Sequence, residues 1–144
     1  MGFVWGVVLV VLSSICWGGQ AISWLASPVA MKLTLMEGED TVEPVYYADV
    51  RGEARWDTLT LWTMLVAGVL LLTDNPAWAY FGLVGGGMYL YFAGRGISTR
   101  LEIQRRGYRI GALQNVRVGY VFLTVWGAMA LITIIAAVKA LPTT

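Results

Sequence analysis

The chain has 144 residues, 58% of them hydrophobic and only 13% charged, with a formal net charge of +1 and a mean hydropathy of +0.66. Soluble domains average about 45–50% apolar and about 25% charged residues, so this balance points away from an ordinary soluble fold. Histidine is absent and Cys16 is the one cysteine, which excludes histidine-ligated haem, Cys/His zinc sites, Ser-His-Asp and Cys-His catalysis and an internal disulfide.

The charges are not spread evenly. Nearly all lie in residues 32–57 and 95–117, with Asp74 and Lys139 as the exceptions. Apolar stretches separated by charged ones are the pattern of membrane spans joined by wet loops. The first apolar stretch, about 3–26, has no Lys or Arg before its core, unlike a cleaved signal peptide. It reads as a retained transmembrane helix that Ser27-Pro28 breaks, because the residue before proline is pushed out of the helical region.

Residues 28–56 form the longest hydrophilic segment. Val29–Met36 suits a short interfacial helix, and Pro44 after Glu43 has the form of a helix start. The second helix begins either there or at Asp57. Asp49, Arg51, Glu53, Arg55 and Asp57 then lead into an uncharged run ending at Thr73. Within the second span, about 57–73, the uncharged run from Thr58 to Thr73 covers only about 24 Å at 1.5 Å per residue. That falls short of a hydrocarbon core of roughly 30 Å, so part of the charge ladder is expected at headgroup depth. Asp74-Asn75-Pro76 is a turn between antiparallel helices.

The third span, about 77–94, is rich in aromatics and glycines, and Gly82 and Gly86 form a GxxxG pair. Such a pair lets another helix backbone approach closely, within the chain or from a second subunit. Residues 95–117 form the second polar loop, with Arg95, Arg100, Arg105, Arg106, Arg109 and Arg117 against the single acid Glu102. Arg100, Arg105, Arg106 and Arg109 read as contacts for anionic lipid headgroups. The fourth span, about 118–141, is stopped by Pro142. The expected fold is therefore all-α, a single-domain integral membrane four-helix bundle. Loops 28–56 and 95–117 hold every Lys and Arg except Lys139. The positive-inside rule then places both loops in the cytoplasm and both termini on the outer, periplasmic side.

The ladder is the candidate site. On a helix Asp49, Glu53 and Asp57 share one face, with Arg51 and Arg55 on another. Asp49, Arg51, Glu53, Asp57 and Arg95 are the candidate ligand-binding residues, at the cytoplasmic mouth of the bundle. The alternative is an ion-paired helix end in the headgroup layer, since ionisable groups near a bilayer must be paired or solvated. No residue is assigned a catalytic role, and no metal or other cofactor is expected. Nucleic acid is not an expected partner, because the arginine cluster is short and lies against a membrane.

Ser27-Pro28 closing the first helix, Arg51-x-Glu53 entering the second and Gly94-Arg95-Gly96 ending the third resemble the DoxX-like group of small four-helix bacterial membrane proteins. That resemblance implies a bacterial inner-membrane location and an accessory role beside redox or quinone-linked enzymes. The expected function is a non-enzymatic structural or accessory subunit, in a homo-oligomer or a larger membrane complex. Binding of, or chemistry on, an apolar ligand such as a lipid or quinone is the alternative, and small-solute transport a weaker one.

Overall fold

The computed structural model describes residues 2–141, so the stop expected at Pro142 lies outside the described residues. Every regular element among them is helical: α1 (Gly2–Leu25), α2 (Ser27–Lys32), α3 (Pro44–Thr60), α4 (Trp62–Leu72), α5 (Trp78–Arg105) and α6 (Leu113–Ala140). The α1 helix, the joined α3–α4 pair Pro44–Leu72 and α6 are long and apolar enough to cross a membrane. Helix α5 is not among these three. Glycine, tryptophan and tyrosine, which are abundant over residues 78–94, add little hydropathy even where they suit a packed helix.

The second helix starts at Pro44, with proline in the first turn, where a missing N–H costs no hydrogen bond. The charge ladder is thus fully helical. A break at Leu61 separates α3 from α4. Beside it the Trp17 indole donates to Thr58 O at 2.8 Å, and a side chain bonding into the backbone ladder is an established cause of a kink. Helix α4 ends with Asp74 at φ 50° and a bond from Asn75 N to Leu70 O of 2.9 Å. This left-handed closure satisfies the last carbonyls.

Helix α5 runs through Gly94-Arg95-Gly96 to Arg105. The loop expected over 95–117 is therefore reduced to residues 106–112. Gly107, at φ 78°, supplies the left-handed residue that closes α5.

The helices pack in series: α1 on α4, α4 on α5, and α5 on α6, with α3 lying against α1. Small residues make the close approaches. A Cβ on Gly68 would sit 2.9 Å from Leu9 Cβ, and one on Gly85 would sit 2.7 Å from Met64 N. One on Gly86 would lie 2.5 Å from Ile134 and one on Gly82 3.3 Å from Thr133. The glycine pair expected to form a seam therefore packs inside the chain, against α6. The core is Leu9, Cys16, Leu61, Met64, Tyr89, Phe92, Leu123 and Met129. Outward faces carry Val4, Val11, Ile15, Val84, Val121, Ile132 and Val138 in exposed positions.

A second cluster joins the two polar segments. Val42, Tyr46, Ile110 and Val116 are buried together. Glu43 N donates to Arg109 O at 2.9 Å. The Glu37 carboxylate accepts from Ala112 N at 3.0 Å and from Asn115 Nδ2 at 2.8 Å, placing a negative charge at the N-terminus of α6, where the helix dipole favours it. Gly111 permits this contact: its φ is 116°, and a Cβ there would lie 2.5 Å from the Glu37 side chain.

Candidate functional site

Four of the five residues of the expected site come together. Arg95 Nη2 donates to Asp49 Oδ1 and Arg95 Nη1 to Glu53 Oε1, each at 2.6 Å. One guanidinium thus clasps two carboxylates one helical turn apart, in the planar geometry that makes arginine suited to such pairs. Asp57, one turn further along, is 5% exposed. Its Oδ2 is buried and, among the described residues, has no hydrogen-bond partner. The three acids share the α3 face that meets α5, as their four-residue spacing requires. They line a cavity of 350 Å³ with Trp56, Tyr91, Phe92 and Arg95.

Arg51 does not join them. It turns to the end of α1 and bonds the Ser27 hydroxyl, Ser23 O and, at 3.0 Å, Trp24 O. A cation there satisfies the last carbonyls of α1 and favours the negative end of its dipole. Arg55 is likewise on the α1 side, 6.0 Å from the Trp24 ring centre.

A larger cavity of 490 Å³ lies on the other side of Glu53 and Phe92, which line both spaces. It sits between α1 and α6. These two helices are joined where the Trp126 indole donates to Leu12 O at 3.2 Å, and among the described residues their backbones approach each other far less than those of α1 and α4 or of α5 and α6. Ile15, Phe92, Phe122, Leu123 and Trp126 form its apolar part. Gln20, Ser23, Tyr46, Glu53, Arg100 and Asn115 bring polar groups toward the loop end. The segment 33–37 and Val42 close it from that end.

The arginines expected to meet headgroups have separate fates. Arg106 pairs with Glu102 at 2.9 Å, as the four-residue spacing suggests. Arg109 lies 3.7 Å from Glu43, and Arg105 is exposed. Arg100 instead lines the larger cavity, bonds Gly96 O at 3.0 Å and sits 5.9 Å from the Tyr46 ring centre. Among the described residues it has no carboxylate within ion-pair distance.

Chemically, the smaller cavity offers carboxylate acceptors and aromatic faces. The larger one offers an apolar body with a guanidinium and neutral hydrogen-bonding groups at one end. Among the described residues no three of the acids and cysteine converge as a metal-ligand set. Compared with protein-family models, with curated proteins and with solved structures, the chain matches none. Sequence reasoning missed the larger cavity and the place of Arg100 in it. Their residues come from α1, α3, α5, α6 and two loops, and no spacing within one segment signals that convergence.

Proposed function

We propose that this protein is a four-span accessory protein of a bacterial inner membrane that holds an amphiphilic, lipid-soluble ligand between α1 and α6. In this arrangement α5 is the fourth span, shielded by α4 and α6, and both termini face the periplasm. The observation that carries the reading is the 490 Å³ cavity, which is apolar near Trp126 and polar near Arg100. Its volume is in the range of small-molecule sites, which combine apolar walls with a few polar groups. The exposed rim residues Ile15 and Phe122 favour entry of a chain or ring from lipid between the two helices. Arg100 would meet the ligand's polar end, as a quinone carbonyl or a lipid headgroup. The DoxX-like resemblance supports the same accessory role, beside a redox or quinone-linked partner.

The test is extraction and mass spectrometry of lipids and quinones that remain with the purified protein. Gly119 lines the cavity and has open space around its Cβ position, so Gly119→Phe fills the cavity without a backbone clash. The expected result is one enriched amphiphile in the wild type, reduced in Gly119→Phe and in Arg100→Gln while helical content is retained. Equal ligand content in all three proteins would exclude the site.

A further inference from the structure

The smaller cavity has a different chemistry. Its wall carries three carboxyl groups, Asp49, Glu53 and Asp57, against the one guanidinium of Arg95. Arg95 is committed to Asp49 and Glu53. Asp57 keeps a buried oxygen with no donor, although its side chain lies in the cavity wall. A buried acceptor without a partner is costly, and a donor entering the cavity would remove that cost.

Three aromatic rings, Trp56, Tyr91 and Phe92, line the same space. Carboxylates together with aromatic faces are the surroundings that hold alkylammonium cations, through charge and cation–π attraction. A volume of 350 Å³ accommodates such a group. Trp56 is 59% exposed and Tyr91 65% exposed, so the rim is made of the ring types that favour headgroup depth.

We propose that the α3–α5 cavity binds an organic ammonium group, the amine of a zwitterionic lipid headgroup such as ethanolamine. Asp57 accepts from the ammonium, with Glu53 beside it. Trp56 and Tyr91 flank it at the rim. The site opens between α3 and α5 rather than between α1 and α6, with Glu53 and Phe92 in both walls, and it rests on the membrane embedding proposed above.

The test uses the full chain in nanodiscs containing equal phosphatidylethanolamine and phosphatidylglycerol, with native mass spectrometry of the lipid adducts on release. The wild type is expected to retain phosphatidylethanolamine preferentially. Asp57→Asn keeps the shape of the side chain and is expected to lower that preference about tenfold, the order of one charge-assisted hydrogen bond. Trp56→Ala is expected to lower it by a smaller factor, and methylammonium chloride, which carries N–H donors, to displace the adduct from the wild type. Arg100→Gln, which touches only the other cavity, is expected to leave the preference unchanged, so failure of the larger site is read separately. Equal retention of the two lipids overturns the proposal. So does a preference that survives in folded Asp57→Asn. Methylammonium binding without any lipid preference overturns the headgroup as the source.

Discussion

Arg51 and Arg95 show how far residue-level reading reaches. Both are arginines next to the same acidic stripe, yet only Arg95 engages it. Arg51 lies about 200° around α3 from that stripe at 100° per residue, and it takes the carbonyls of α1 instead. The position of the acids was legible because spacing by four is enough to align them. The choice of cation was not, because it depends on which helix lies opposite. Glu53 is 10% exposed at its side chain, whereas Arg95 and Asp49 are 30% and 34% exposed. Arg95→Ala is therefore expected to destabilise by about 2 kcal/mol, less than the roughly 3–5 kcal/mol of a fully buried pair because water screens part of it. Arg109→Ala disrupts an exposed pair and is expected to cost under about 1 kcal/mol. Cys16 is buried at 3% exposure, so a thiol-reactive dye that fluoresces on unfolding reads both melting points.

At the scale of the element, α5 departs most from its sequence pattern. Three consecutive glycines and Gly94-Arg95-Gly96 suggest a weak helix with an early end. The helix persists to Arg105 because its neighbours use the missing side chains: Met64 lies against Gly85, Ile134 against Gly86 and Leu123 against Gly96. Gly87 faces open space. Gly85→Ala is expected to destabilise by about 1–3 kcal/mol, since a methyl group there must displace backbone. Gly87→Ala is expected to stabilise by up to about 1 kcal/mol through helix propensity alone. Opposite shifts in the same thermal melt would separate packing from propensity; equal shifts would contradict the packing assigned to Gly85. The α3–α4 joint is a related case. Pro44 offers one of two starts for the helix, the other being Asp57, and nothing around Leu61 announces its break, which coincides with an indole arriving from α1.

For the whole molecule, the two polar segments behave as one structure. Glu37, Val42 and Glu43 from the first meet Arg109, Ile110 and Ala112 from the second, and together they cover the loop end of the larger cavity. The proposed topology puts this cap in the cytoplasm and the Asp74-Asn75-Pro76 turn outside. Asp40→Cys and Arg105→Cys are expected to react with a membrane-impermeant maleimide only after the inner membrane is opened. Asn75→Cys is expected to react in intact spheroplasts, and buried Cys16 to stay silent in both. Reaction of Asp40→Cys and Asn75→Cys from the same side would rule out the proposed topology.

The sequence by itself left the start of the second helix open between Pro44 and Asp57, and it determined the all-helical class, apolar helices of membrane-crossing length and the common face of Asp49, Glu53 and Asp57. These follow from composition and from periodicity along one helix, which are local properties of the chain. Only the tertiary structure decided that Arg95 closes the acidic stripe, that Arg51 caps α1, that Arg100 enters a cavity and that Asp57 is left with an unpartnered oxygen. Each of those depends on which faces of distant helices meet, and that is set by close approaches at glycines and by the docking of two loops. Side chains spread over four helices and two loops converge there without leaving a pattern in any one of them.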